Sequence, residues 1–181
     1  MSKQIINIIN NLPLKTTAKI VDITSSINIL SSSIYEIIPN GEIIVLGKDK
    51  DKVDTIININ LKNKNKINNN VTHSALNFDY DMGNNLPLQD NAYDLVIMSH
   101  TLRNVIYRES LLKECFRILS PGGMILIVEL HHDAHGVTTH PDARILFDDI
   151  LEYLDNSGFI IGDNFDTDQY EYGIIGICPQ V

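Results

Sequence analysis

The chain has no tryptophan and only two cysteines in 181 residues. No unbroken apolar stretch approaches the ~18 residues that a membrane-spanning helix needs. Cys115 and Cys178 lie far apart, each within an apolar segment. That argues against a disulfide scaffold and reads as reduced core thiols in a cytoplasmic protein. Positive charge is also scarce: 14 Lys and Arg face 23 Asp and Glu, for a formal net charge of −9. Such a balance argues against nucleic acid or an anionic membrane as the main partner; Lys62, Lys64 and Lys66 form the only basic cluster. The N-terminus lacks a signal-peptide pattern, because the apolar run at 5–9 is short and broken by Asn. What is present is 44% hydrophobic residues, enough for one domain with a real core but too short a chain for two comfortable ones.

The most legible stretch is 91–130. Residues 94–98 form a short apolar run without helical period, as expected of a strand buried on both faces. Residues 102–119 have helical spacing, with Leu111, Leu112, Cys115, Phe116 and Leu119 on one face and Arg108, Glu109, Lys113, Glu114 and Arg117 mostly on the other. Ser120-Pro121-Gly122-Gly123 stops that helix, and 124–130 reads as a second buried strand. Two buried strands joined by a crossover helix make a right-handed βαβ unit of a parallel sheet.

Around this unit, strands are expected at 18–23, 42–46, 75–80, 159–163 and 173–178, and helices at 29–38, 52–61 and 142–157. The Asn- and Lys-rich 62–70 reads as a solvated loop or frayed helix end, and 131–141 as a long loop. Residues 1–17 are a lead-in, helical or extended, and 18–181 form a single α/β domain with a mostly parallel sheet. The short link at 164–172 suits an antiparallel hairpin at one edge. Ligands of such sheets bind beyond the carboxyl ends of the strands. That rule selects the turn after strand one (22–28), Lys48 and Asp49 after strand two, the loop 81–86 after strand three, and Ser99 with His100 after strand four.

Two motifs carry a family resemblance. Residues 86–96, LPLQDNAYDLV, correspond to a pattern LPF-x-D-x-x-FD-x-V, and 111–123 fit L-x-E-x-x-R-x-L-x-PGG. From Ala18 onward the chain resembles class I S-adenosylmethionine-dependent methyltransferases, nearest to the small ubiquinone/menaquinone-biosynthesis-like enzymes. The resemblance implies a Rossmann-like, doubly wound sheet of seven strands with the last antiparallel and helices on both faces. It also implies S-adenosylmethionine as cofactor and a small-molecule substrate. By the same resemblance, Asp49 would hold the cofactor's ribose, since a carboxylate accepts two hydrogen bonds at once. Asp81 or Met82 would meet the adenine, Ser99 and His100 would flank the methionine part and the substrate, and Asp22 would close strand one. Many relatives carry long N-terminal helices as a lid; their absence here implies an open site or one completed by a second subunit in a homodimer.

The family's D-x-G-x-G-x-G loop is degenerate. Asp22 is followed by Thr24, Ser26 and Asn28 where glycines are expected. Glycines there let the backbone turn sharply and the cofactor approach closely. Asn28 is the mildest replacement, because Asn tolerates left-handed angles.

A second feature is the loop HHDAHGVTTH, with His131, His132, His135 and His140 beside Asp133. Imidazoles suit Zn, Ni or Fe, so the four histidines are a candidate metal set, although the spacing matches no standard motif and a polar solvated loop is the plainer reading. His131 and His135 are also candidate general bases. His100 is a third, with packing as its plainer role. Two functional readings stand: a methyltransferase of small molecules, or a methyltransferase-like binding or assembly module that has lost its cofactor. The glycine-less loop discriminates between them.

Overall fold

The computed structural model describes residues 3–24, 34, 37–67, 70–80, 85–135, 137, 140 and 143–180. Strands β1 (Lys19–Thr24), β2 (Glu42–Gly47), β3 (Thr72–Asn77), β4 (Tyr93–Ser99), β5 (Leu119–Leu130), β6 (Ile160–Asp166) and β7 (Glu171–Ile177) form one sheet in the order β3-β2-β1-β4-β5-β7-β6. The first five pair in parallel; β7 is antiparallel to both β5 and β6. This is the expected doubly wound architecture, with its hairpin at one edge.

The apolar runs form strands because both sheet faces are covered. On one face, Val21, Ile23, Val96, Met98, Ile125, Ile127 and Ile174 pack beneath helices α3 (Arg108–Ile118) and α4 (Phe147–Asn156). On the other, Ile20, Leu95, Ile97, Leu126 and Val128 meet Ile34, Ile38 and residues of α1 (Lys3–Asn11) and α2 (Lys50–Ile67). Each fully buried Leu or Ile contributes about 1.5–3 kcal/mol over its exposed state. The lead-in shares in this core, since Ile9 is buried at its centre. Most of the expected helix at 29–38 lies outside the described residues.

Several boundaries differ from expectation. The helix expected at 102–119 is divided: Leu102–Asn104 form one 3-10 turn, and α3 starts only at Arg108. The interruption serves the end of β4, as shown below. Helix α2 runs on through the Lys-rich stretch to Ile67, and Val53 and Ile56 near its start dock it on the core. Strand β3 sits a few residues earlier than expected; it is an edge strand with mostly exposed side chains, so its apolar pattern is weak. Helix α4 begins at Phe147, several residues after the expected start. Residues 120–123 belong to β5 as a local irregularity, where the β4–β5 register shifts between Tyr93 and Leu95 and Gly122 takes φ 78°.

The two sequence motifs turn out to be bonded to each other. Glu114 and Arg117 on α3 clamp the segment that leads into β4. Glu114 accepts from the Leu86 N–H at 2.7 Å, and Arg117 donates to the carbonyls of Leu86 at 2.9 Å and Leu88 at 3.0 Å. Arg117 also bonds Glu114 at 2.7 Å and pairs with Asp90. Breaking the clamp leaves the Leu86 and Leu88 carbonyls without their donor and strips the Glu114 carboxylate of its guanidinium partner. Arg117→Met is therefore expected to lower stability by about 2–3 kcal/mol, read as a reduced urea midpoint with unchanged slope.

Candidate functional site

Parallel pairing brings the carboxyl ends of β2, β1, β4 and β5 to one edge. Thr24, Ser99 and Val128 lie side by side in that row. The side chain of Asp22 is buried two residues before the end of β1. The Thr101 hydroxyl locks the neighbouring strand end to it, donating to the Ile23 carbonyl at 2.8 Å with the Ser99 carbonyl at 3.1 Å. Ser26, Asn28, Asp81 and Met82 lie outside the described residues, as does the side chain of Thr24.

Asp49 stands at the carboxyl end of β2 and opens α2. Its Oδ1 accepts from the N–H groups of Asp51 at 3.0 Å and Lys52 at 3.2 Å. This is helix N-capping, which satisfies two of the otherwise unpaired donors of a first turn. Its Oδ2 lies 3.8 Å from the Lys52 ammonium, and the side chain is half exposed.

The turn after β4 is tightly built. His100 adopts a left-handed backbone, φ 53°, which His accepts more readily than most residues. Its N–H donates to the Val128 carbonyl at 2.8 Å, and its carbonyl accepts from the Asn104 side chain at 3.0 Å. The His100 Nε2 lies 2.9 Å from Glu171 Oε1 at the start of β7. That contact, more than any other, holds the Glu171 carboxyl below its ordinary range, against the opposing effect of burial. The nearly inaccessible Glu129 accepts from the Arg103 N–H at 3.3 Å and lies 3.6 Å from its guanidinium. Burial pushes the Glu129 carboxyl upward, while Arg103 and His100 oppose the shift. The 3-10 turn at 102–104 exists to present Arg103 to this carboxylate, a break that helical periodicity alone does not reveal.

The histidine loop is organised by Arg144. One guanidinium nitrogen donates to the carbonyls of Ala134 at 2.7 Å, His132 at 2.8 Å and His131 at 3.2 Å. With its carbonyls gathered inward, the loop turns His132, His135 and His140 to solvent. Among the described residues no group of three or more His, Cys, Asp or Glu is placed to hold a metal ion. His131 alone points into the structure. Its Nε2 is 3.1 Å from Asp166 Oδ1, and its ring lies 5.2 Å from that of Tyr172. Sequence reasoning gave no role to Arg103, Arg144, Asp166 or Glu171. Asp166 and Glu171 lie in the short link expected at 164–172, and strand direction is what turns these two carboxylates toward histidines.

Residues 3–174 match the profile of the ubiE/COQ5 methyltransferase family. The chain belongs to that family. It is 26% identical over 155 residues to a ubiquinone/menaquinone biosynthesis C-methyltransferase UbiE of Shewanella sp., covering 85% of this chain and 57% of that protein. With the Pasteurella multocida enzyme of the same name it shares 33% over 91 residues, 50% of this chain and 31% of the other. The match thus spans 57% of the length of the first of these relatives and 31% of the second. The fold is that of a SAM-dependent methyltransferase from Aquifex aeolicus, with TM-score 0.77 at 17% identity, over 94% of this chain and 87% of that one.

Membership of the family implies S-adenosylmethionine as cofactor. The described residues fit it. A ribose diol needs an acceptor with lone pairs left over, and Asp49 caps α2 through Oδ1 while its side chain stays half exposed. Asp22 and Ser99 stand on the adjoining strands of the same edge.

The His100–Glu171 contact sets a pH dependence of stability. Because the folded state lowers the Glu171 value, its contribution is present above the ordinary 4.5 and fades as pH falls through the lower folded value. Glu171→Gln is expected to cost about 1–2 kcal/mol at neutral pH. The gap between wild type and variant should close progressively below pH 4.5 in urea titrations.

Proposed function

We propose that the chain is an S-adenosylmethionine-dependent C-methyltransferase acting on a small hydroquinone-type ring. Family membership supports the transfer chemistry, and the relatives' names support the acceptor class. The observation that carries the reading is the carboxylate of Asp49 at the end of β2, one strand from the centre of the ligand-binding edge.

When bound, the cofactor supplies a methyl group on a sulfonium, an electrophile that needs only an aligned nucleophile. The protein's part is alignment and exclusion of water, effects together able to supply about 7–11 kcal/mol. Asp49 would hold the ribose and Ser99 would lie beside the methionine part. The Thr101 bond to Ile23 keeps the ends of β1 and β4 at fixed separation, so that donor and acceptor are held on one frame. His100, with its imidazole nearly buried and taken by Glu171, positions the start of β7. Arg103 keeps Glu129 paired beneath the acceptor side of the edge. Thr24 and Ser26 replace glycines of the cofactor loop, and we infer a weaker or reshaped fit at the methionine end. Two free, buried cysteines suit a reducing, cytoplasmic setting.

Calorimetric titration with S-adenosylhomocysteine tests this reading. Saturable binding is expected; no heat and no thermal shift at millimolar ligand would leave the non-catalytic module as the better account. Asp49→Asn separates the two roles of that residue, since Asn caps a helix about as well as Asp. The variant should keep its melting temperature yet bind S-adenosylhomocysteine about 10–100-fold more weakly.

A further inference from the structure

A cavity of ≈ 440 Å³ lies beyond the carboxyl ends of β5 and β6, lined by His131, Phe147, Asn164, Phe165, Asp166 and Tyr172. Its wall is aromatic: Phe147 and Tyr172 meet edge to face at 5.4 Å. The Tyr172 hydroxyl is spent on the Ile145 carbonyl at 3.2 Å, and burial pushes its ionisation upward, so it donates no proton to the cavity. The one pair there suited to move a proton is His131 with Asp166.

The geometry points to His131 as the general base that takes a hydroxyl proton from an aromatic acceptor seated in this cavity, with Asp166 as its positioning residue. This rests on the methyltransferase reading and adds to it the seat of the acceptor and the group that activates it. Four observations converge. First, Asp166 Oδ1 stands 3.1 Å from His131 Nε2. A carboxylate there holds the proton on Nε2 and leaves the lone pair on Nδ1, the same division of labour that orients other catalytic imidazoles. Second, Nδ1 makes no hydrogen bond among the described residues. Third, the main chain of His131 is pinned on both sides: its N–H donates to the Tyr170 carbonyl at 2.8 Å, and its carbonyl accepts from Arg144. The ring is therefore held in place before any ligand arrives. Fourth, the Tyr172 and Phe147 rings offer edges and faces of the kind that a flat ring packs against.

The cavity also lies beside the transfer edge. Val128 pairs with Ser99, and His131 follows three residues later, about 10 Å along the strand. Among the described residues, the charged and titratable groups placed against His131 are Asp166 from β6 and Tyr172 from β7 at its ring, and Arg144 from the segment before α4 at its main-chain carbonyl. In the step itself, the acceptor O–H bond breaks and an N–H bond forms on Nδ1. The electron pair stays on the ring oxygen and raises the nucleophilicity of the adjacent ring carbon. Once that carbon carries the methyl group it sheds its own proton to solvent, and His131 returns the first proton to oxygen. One proton is released in all.

The test uses the full chain and 4-nitrophenol, whose ionised form is yellow, at a pH about one unit below the probe's own pKa. Wild type is expected to raise the ionised-to-neutral ratio of bound probe roughly tenfold over free probe. His131→Gln should abolish that shift, and Asp166→Asn should reduce it, with melting curves confirming that both variants fold. No binding of the probe, or an equal shift in His131→Gln, overturns the proposal. With a hydroquinone acceptor, His131→Gln should lower kcat by about 10²–10⁴-fold near neutral pH. That loss should shrink at high pH, where solvent ionises the acceptor unaided. A loss that stays constant with pH means a structural role and also overturns the proposal. S-adenosylhomocysteine titration of the same variants separates the two ideas: retained binding with a failed proton readout sinks this inference alone, and absent binding in wild type sinks the methyltransferase reading.

Discussion

Parallel hydrogen bonding between β1 and β4 fixes the row of strand ends on which the candidate site is built. It sets Thr24 beside Ser99, and through β5 it adds Val128 to the same row. Parallel strands require crossovers, and crossovers send every connecting turn at the carboxyl end to one edge. Asp22, Asp49, Ser99 and His100 come from distant parts of the sequence, yet the ladder leaves them little choice of neighbour. The Thr101 hydroxyl reinforces this by tying the end of β4 to the Ile23 carbonyl.

The antiparallel β7 supplies what the parallel strands cannot. Because it runs the opposite way, its first residues, Glu171 and Tyr172, arrive at the same edge where the other strands end. Reversal at the β6–β7 turn brings the last residue of β6, Asp166, there as well. One hairpin thereby delivers two carboxylates to two histidines, Glu171 to His100 and Asp166 to His131. A Phe165 ring packed over Gly173 keeps the two strands of the hairpin in step; any side chain at 173 would meet that ring.

The central strands were legible in the sequence because their burial on both faces erases any alternation, leaving runs such as 94–98 and 124–130. The clamp of Arg117 and Glu114 on 86–90 was visible as two motifs, although their mutual bonding was not. The division at 102–107 escaped notice because Leu102 and the residues of α3 share a helical spacing; what decides it is the demand of Glu129 for the Arg103 N–H, a partner twenty-six residues away. The histidine loop left a metal set open beside the plainer solvated reading for a similar reason. Composition shows four imidazoles together, and only the placement of Arg144, which gathers the main-chain carbonyls, shows why three of them face water. Long-range polar pairs of this kind leave no period in a sequence.

Asp49 holds up the first turn of α2 whether or not a ligand is present. One oxygen serves the helix and the side chain still reaches solvent. Scaffold and ligand contact thus share a single residue, so loss of the whole side chain would disturb the turn and the binding edge together, and only a replacement that keeps the cap can tell the two apart.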